Sequence, residues 1–173
     1  MKQVLAFCVV IFGMLSCSAP QAPLPTGPSA EEIKAQKKAD HKLFHATLRK
    51  HIKAVSSRDI STLESMMSPD GLMHLMRPST EVVYSTDKYL KYHQSWFQDT
   101  NWTLESTITD SKVGKDIGMA VTEVMYKVPD RDGKPYWNQM TISYVLQKIE
   151  GNWYVISDHS SSVKKSTDKK SVG

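Results

Sequence analysis

The chain has 173 residues, a length that favours one domain, and 40% of them are hydrophobic, which suffices for a single packed core. The net charge of +4 is mild, and no basic stripe is interleaved with aromatic residues, which argues against nucleic-acid binding. The only cysteines, Cys8 and Cys17, stand near the N-terminus. The body of the chain therefore excludes a disulfide framework, a thiol nucleophile and a cysteine-based metal site.

The N-terminus has the features of an export signal. Lys2 supplies a positive charge, and the apolar run Val4–Leu15 that follows is too short to span a bilayer comfortably. The next residues, Ser16 and Cys17, resemble the lipobox of bacterial lipoproteins, in which the cysteine is lipidated. We expect residues 1–16 to be a signal peptide, and Cys17 to anchor the exported protein on the periplasmic or outer-membrane side. The alternative is ordinary signal-peptide cleavage, with Cys17 incidental.

Polar extensions flank the predicted domain, which covers residues 30–163. Residues 17–29 are rich in proline and have little apolar bulk, which is typical of a semi-rigid tether. Residues 164–173 are rich in lysine and predict a basic disordered tail. Either solvation or binding to anionic lipid or a surface polymer would explain that tail.

Three helices are predicted. Ser29 and Glu32 form a capping box that starts the first helix, which extends to about Ser56. Its second half carries an apolar stripe for docking on a sheet: Phe44, Leu48, Ile52 and Val55. A short second helix is predicted over residues 59–67. The third covers residues 85–98, and its apolar side comprises Tyr89, Leu90, His93, Trp96 and Phe97.

Alternation of apolar and polar residues predicts two short strands before the third helix and four long ones after it. The first four cover residues 72–77, 80–84, 102–113 and 117–128. The last two are the halves of residues 136–162, and a tight turn at Glu150-Gly151-Asn152 joins them. Turn-forming residues at 129–133 predict a loop between two of them. The fold class is therefore α+β, with a curved antiparallel or mixed sheet wrapped around the long N-terminal helix.

The order α-α-β-β-α-β-β-β-β resembles the nuclear transport factor 2-like superfamily, which includes ketosteroid isomerase-like and SnoaL-like domains with a cystatin-like cone fold. The matching features are the first helix running into AVSSRDISTLESMMSPDG, the third helix between the second and third strands, and the closing GNWYVISDHSSS. The resemblance covers residues 30–163 and implies a cone that encloses a pocket, often within a homodimer. It implies no single activity, because such domains include enzymes, small-molecule binders and interaction modules.

The end of the last strand carries the candidate catalytic residue. Asp158 and His159 are neighbours, so regular strand geometry points them to opposite faces of the sheet. By the same alternation His159 shares a face with Trp153 and Val155, and the resemblance places it near the mouth of the pocket. An imidazole there could act as an acid, a base or a ligand donor. The alternative is a structural histidine that is hydrogen-bonded within the sheet.

Aromatic residues on and near the third helix form the candidate ligand pocket, because this helix flanks the pocket in the resembled superfamily. Together with one residue of the penultimate strand, they are Tyr84, Tyr89, His93, Trp96 and Tyr144. Ordinary core packing is the alternative for these side chains. His41 and His45 share a helix face but have no evident third ligand, so neither a metal nor another cofactor is expected.

These observations favour an envelope lipoprotein whose domain binds a small apolar molecule or a protein partner without catalysis. The acid and oxyanion groups of ketosteroid isomerase-like enzymes cannot be placed residue by residue, and no nucleotide-binding or hydrolase motif is present. One alternative is an isomerase, dehydratase or hydrolase that uses His159 with Tyr84 or Tyr144. Another is a structural homodimer that acts through its convex face.

Overall fold

A computed structural model describes residues 27–77 and 82–168 of the chain. Its helices are α1 (Ala30–Ser57), α2 (Ile60–Glu64) and α3 (Thr86–Trp96). The predicted capping box starts α1, because the Ser29 hydroxyl accepts from the Glu32 amide and the Glu32 carboxylate accepts from the Ser29 amide. The helix ends at Arg58, whose φ of 59° is left-handed. No helix within the described ranges is long and apolar enough to cross a membrane.

Within the described ranges, five strands form one mixed sheet. They are β1 (His74–Met76), β2 (Thr103–Val113), β3 (Ile117–Arg131), β4 (Lys134–Ile149) and β5 (Asn152–Lys165). Their spatial order is β1-β5-β4-β3-β2, in which β1 is parallel to β5 and every other pair is antiparallel. The predicted α+β class, with a mixed sheet and a long N-terminal helix, is therefore confirmed.

Two predicted elements between the helices and the long strands differ from the structure. In the strand predicted over residues 80–84, Val83 makes only an isolated bridge to Leu75, and residues 78–81 lie outside the described part of the chain. The loop predicted at residues 129–133 is shorter than expected, because β3 and β4 continue to a two-residue turn. Both turn residues have positive φ, as primed hairpin turns require.

β5 does not alternate regularly, because two one-residue bulges interrupt its pairing with β4. The extra residues are Ile156 and Val163, and each reverses the alternation that a regular strand would have. After the first bulge, Asp158 faces the helices. After the second, Lys165 faces them and Lys164 faces outward. Both lysines belong to β5, so the predicted tail begins inside the folded domain.

The apolar core lies between α1 and the inner face of the sheet, on the side of the β4–β5 turn; we call this the packed end of the cone. Phe44 and Leu48 of α1 are fully buried there. The Phe44 ring meets Trp153 edge-on, with 5.3 Å between ring centroids. A Cβ on Gly118 would lie 2.6 Å from the Phe44 ring, so only glycine at this position of β3 lets the ring approach so closely.

Candidate functional site

The sheet and helices enclose a cavity of about 440 Å³ on the side away from this core, at what we call the open end of the cone. Most of its walls are apolar, and the lining includes Ile52, Val55, Trp96, Tyr126, Met140 and Ile142. Polar side chains reach it from three sides, among them His93 of α3, Asn138 of β4 and Asp158 of β5. Apolar walls with a few convergent polar groups are typical of small-molecule sites.

Trp96 is held in the wall of the cavity. Its ring stacks on Trp102, with 4.3 Å between centroids and an interplanar angle of 13°. The Arg58 guanidinium lies 3.9 Å from the centroid of the Trp102 ring and holds that ring in turn. The indole of Trp96 is therefore packed against its neighbour and leaves the cavity open.

A buried polar cluster lies at the floor of the cavity. The Tyr89 hydroxyl is 3.3 Å from His51 Nε2 and 3.4 Å from Asp158 Oδ2. His51 and Tyr89 are fully buried, and Asp158 is only 7% exposed. The His51 ring also packs edge-on against Tyr144, with 5.5 Å between centroids. Helices α1 and α3 and strand β5 thus each contribute one member of a hydrogen-bonded chain.

The single phenolic proton of Tyr89 limits where the other protons lie. When Asp158 is ionised, Tyr89 donates to its carboxylate, and His51 Nε2–H donates to the phenolic oxygen. When Asp158 is protonated, its hydroxyl can donate to the phenolic oxygen, which frees Tyr89 to donate to an unprotonated Nε2 of His51. In that arrangement the protonation of Asp158 is coupled to the tautomer of His51.

His93 presents an acceptor in the cavity wall. Its Nδ1 lies 2.9 Å from the carbonyl oxygen of Tyr89, so Nδ1–H donates and Nε2 of the neutral ring is unprotonated. Burial lowers the pKa of His93 to about 4, with a further contribution from the Arg77 charge, although the bond to Tyr89 opposes the shift. The ring is thus neutral at physiological pH.

Burial also determines the charge of the cluster below it. It raises the pKa of Asp158 to about 7, against the opposing effects of the Tyr89 hydrogen bond and the Arg77 charge. It lowers the pKa of His51 to about 3, with a smaller effect from His93. The pKa of Tyr89 is raised, chiefly by burial. Among these groups, Asp158 is the one that changes charge near neutral pH.

The predicted catalytic histidine does not face the cavity. His159 is exposed on the outer side of β5, whereas Asp158 lines the cavity. The expected orientation was wrong because the bulge at Ile156 reverses the alternation between Val155 and Asp158. The titratable group of this strand that a ligand in the cavity would contact is therefore Asp158 and not His159.

The predicted pocket residues occupy different places. His93, Trp96 and Tyr144 line the cavity. Tyr89 is buried at its floor, within the polar cluster. Tyr84 is 67% exposed and packs against the His74 ring, with 5.6 Å between centroids, so it does not belong to the pocket wall.

Two other expectations concern residues away from the cavity. Cys17 lies outside the described residues. His45 Nε2 is 3.0 Å from the Ser111 hydroxyl, and the rings of His41 and His45 lie 4.5 Å apart. In residues 27–77 and 82–168, no group of three or more His, Cys, Asp or Glu side chains could hold a metal ion.

Sequence reasoning missed His51. It stands three residues after Leu48 and four before Val55, so it occupies the buried stripe of α1. Ile52, which was assigned to that stripe, is half-buried and lines the cavity instead. A histidine at a helix position that an apolar residue would normally fill is the signal that points to this site.

A depression of about 490 Å³ lies between the second half of α1 and β2, and its lining is exposed or half-buried throughout. Two other depressions that are larger than the inner cavity lie outside the cone. One of about 810 Å³ separates the first half of α1 from the β2–β3 turn, and one of about 530 Å³ lies on the outer face near the β3–β4 turn. Their linings are mostly exposed or half-buried, and neither contains a cluster of buried polar groups like that of the inner cavity. The inner cavity is therefore the candidate site.

Comparison with known proteins places this geometry in a wider context. Residues 45–164 match the family model described as SnoaL-like domain. No curated protein has a significantly similar sequence. Among solved structures, a protein of the NTF2-like family from Streptomyces avermitilis is 17% identical over 73% of this chain and 99% of its own, with a TM-score of 0.62.

Two further structures have the same fold. A ketosteroid isomerase-like protein from Erwinia carotovora atroseptica is 16% identical over 71% of this chain and 95% of its own, with a TM-score of 0.61. The association domain of CaMKII from C. elegans is 21% identical over 74% of this chain and 96% of its own, with a TM-score of 0.51. At such low identities the likeness shows the fold alone.

Proposed function

The chain belongs to the family of SnoaL-like domains, and we propose that it binds a small molecule with an apolar body. The observation that supports this proposal is the cavity of about 440 Å³, whose size is ordinary for ligand pockets. Trp96 lies along its wall and Met140 contributes to its lining, so these two large side chains do not fill the space.

Binding to a neutral apolar probe tests this proposal. N-phenyl-1-naphthylamine fluoresces when it leaves water, and we expect saturable binding to the purified domain. Met140→Trp fills part of the cavity and is expected to weaken binding at least about tenfold. Thr141→Trp is the matched control, because the next residue of β4 faces outward. Equal affinities of the two variants would contradict binding inside the cone.

A second candidate function is acid–base catalysis, and the position of Asp158 favours it. The carboxyl group lines the cavity, and its pKa of about 7 suits a group that takes up and releases protons near neutral pH. The unprotonated Nε2 of His93 supplies a second acceptor in the same cavity. The reaction class would be proton transfer at a carbon next to a carbonyl group, as in an isomerase or a dehydratase.

Deuterium exchange distinguishes this enzyme from a binder. Incubated in D₂O, an enzyme of this class would speed deuterium incorporation next to the carbonyl of a small ketone such as cyclohexanone, which NMR detects. Asp158→Asn would abolish the acceleration, and His159→Asn would retain it. If the native protein gives exchange no faster than Asp158→Asn does, catalysis is excluded and binding remains as the proposed function.

We also propose that the protein is exported and anchored through an acylated Cys17. The support is the sequence around Cys17 and the proline-rich residues 17–29, which would hold the domain away from the membrane. A membrane fraction that loses the protein on Cys17→Ala supports the anchor. Retention of the variant in that fraction would exclude it.

Finally, we propose a homodimer that forms through the outer face of the sheet. Ile117 and Met119 of β3 are 56% and 46% exposed there, and the half-buried Trp137 of β4 shares that face. The similarity to a domain named for association is consistent with this proposal. Light scattering is expected to give a dimer mass for the native domain and a monomer mass for Met119→Glu, with Lys91→Glu on α3 as the control.

A further inference from the structure

The cavity has an excess of positive charge. Three basic side chains line it: Arg77, which follows β1, Arg131 at the end of β3, and Lys165 at the end of β5. Among the described residues of the lining, Asp158 is the one that is acidic, and it lies at the floor. Arg131 is exposed and Lys165 is half-buried, so these two cations mark the mouth of the cavity.

None of these cations has a carboxylate partner among the described residues. The two ion pairs there join Lys127 with Glu105 and Lys148 with Asp40. The guanidinium groups of the two cavity arginines instead lie over aromatic rings, which fixes them without neutralising their charge.

The two stacked arginines keep their hydrogen-bond donors available. The Arg77 guanidinium is 4.1 Å from the centroid of the Tyr92 ring, and that of Arg131 is 4.4 Å from the centroid of the Tyr136 ring. Stacking uses the flat face of a guanidinium, while its N–H groups point outward from the edge. Nε of Arg77 is buried and has no acceptor among the described residues. Such donors match the oxygens of a carboxylate, sulfonate or phosphate.

The third cation is placed by the second bulge of β5. Without the extra residue Val163, regular alternation would turn Lys164 inward and Lys165 outward. With it, Lys165 pairs with Asn138, and both side chains line the cavity. The backbone irregularity thus brings an ammonium group to the mouth, on a strand that lies between β1 and β3 in the sheet.

From this arrangement we propose that the cavity takes an amphipathic anion. Its acidic headgroup binds Arg131 and Lys165 at the mouth, Arg77 adds positive charge further in, and its apolar body lies against Trp96 and Met140. The inference rests on the proposed function and specifies the ligand class. Asp158 determines the orientation, because an anionic headgroup beside it would meet a group of like charge, whereas the mouth offers cations.

Two probes with one skeleton test this ligand class. 1-Anilinonaphthalene-8-sulfonate is N-phenyl-1-naphthylamine with an added sulfonate, so the ratio of their dissociation constants isolates the anionic group. We expect the sulfonate to bind about tenfold more tightly at low salt. The difference is expected to shrink between about 0.01 and about 1 M salt, as the Debye length falls from about 30 to about 3 Å.

Charge variants assign the effect to the cavity. Lys165→Gln and Arg131→Gln are each expected to weaken sulfonate binding about fivefold and to leave neutral-probe binding unchanged. Lys164→Gln removes the same charge from the neighbouring residue on the outer face and is expected to change neither affinity. Circular dichroism melting curves verify that each variant is folded.

The outcomes separate the two proposals. If the neutral probe binds in the cavity but the sulfonate binds no more tightly, the anionic ligand class is wrong and the proposed function stands. The same holds if Lys164→Gln weakens sulfonate binding as much as Lys165→Gln, because the attraction is then general surface charge. If neither probe binds, both proposals are wrong.

Discussion

At the packed end of the cone, β4 and β5 present Leu146 and Val155 to Phe44, and all three are fully buried. At the open end, the same two strands present Tyr144 and Asp158 to a cavity and a polar cluster. The change occurs within a few residues and coincides with the bulge at Ile156. One sheet therefore combines a dry core with a polar site by interrupting the pairing of a single strand.

Charge is handled differently at the two ends. At the packed end, Asp40 and Lys148 form an ion pair with a Nζ–Oδ1 distance of 2.6 Å, and both side chains are largely buried. At the open end, the cations of the cavity have no carboxylate partner among the described residues. Paired charges join elements of the fold, whereas unpaired charges are available for a ligand.

Removing the central ring of the packed end is expected to have the largest effect. Phe44→Ala should lower the free energy of unfolding by about 4 to 5 kcal/mol, because removal of the buried ring leaves a cavity between α1 and Gly118. Leu43→Ala is the control, because that side chain is 49% exposed and should cost less than about 1 kcal/mol. Urea unfolding measures both. Similar losses would mean that the packed end does not dominate stability.

At the open end, Asp158→Asn is expected to stabilise the domain at alkaline pH. Burial raises the pKa of Asp158 from 3.8 to about 7, so the folded state holds a proton that the unfolded state releases. The native protein therefore loses stability as pH rises from about 4 to about 7, by on the order of 4 kcal/mol, and the variant does not.

The difference between the two proteins isolates this group. His51 and His93 have lowered pKa values, so they reduce stability as pH falls below about 6.5, equally in both proteins. Urea unfolding at pH 4 and pH 8 should give a stability difference in favour of Asp158→Asn that grows with pH. A difference that is constant with pH would refute the assignment of a raised pKa.

Breaking the ion pair of the packed end is expected to have a smaller effect. Asp40→Ala leaves Lys148 without its partner and removes the acceptor of a bond from Gln36, which should cost about 2 kcal/mol. Asp116→Ala is the control, because that residue is exposed and its carboxylate has no ion pair among the described residues. Equal values for the two variants in urea unfolding would show that the buried pair contributes nothing specific.

The smallest expected effect is the pH dependence of anion binding. Asp158 ionises above about pH 7, and its charge then opposes that of a bound sulfonate. Binding of the anilinonaphthalene sulfonate should weaken about twofold to threefold between pH 6 and pH 8, since the headgroup lies at the mouth and the carboxylate at the floor. Fluorescence titration of Asp158→Asn is expected to show no such dependence, and an unchanged slope would place the headgroup elsewhere.

Much of the fold could be predicted from the sequence, because its local patterns agree with its tertiary packing. The capping box at Ser29 starts α1 as expected. Met140, Ile142 and Tyr144 of β4 follow the predicted alternation and share the face that lines the cavity, because the bulges of this pair are on β5 and β4 itself alternates regularly. Period-2 and period-3.6 patterns are reliable where an element is regular.

The site was harder to predict, because it depends on irregularities that leave no pattern. A bulge adds one residue without a distinctive composition. The residues around Ile156 and Val163 therefore gave no sign that the inward and outward alternation of β5 reverses at these two positions. Arg131 was assigned to a loop because of the turn formers around it, and the extended β3–β4 hairpin instead brings it to the mouth. His51 is the exception, since its place in the stripe was visible.

The two edge strands of the sheet determine how readily neighbouring copies of this domain could pair strand to strand. β2 is an edge strand of 11 residues, and such strands offer free amides and carbonyls to neighbouring molecules. Here the pairing shifts between Ile108 and Asp110, and the exposed Glu105 and Lys112 add charge. The opposite edge, β1, has only three residues. Crowded copies of this domain therefore meet without a long regular edge for intermolecular strand pairing, the first step towards fibrous aggregation.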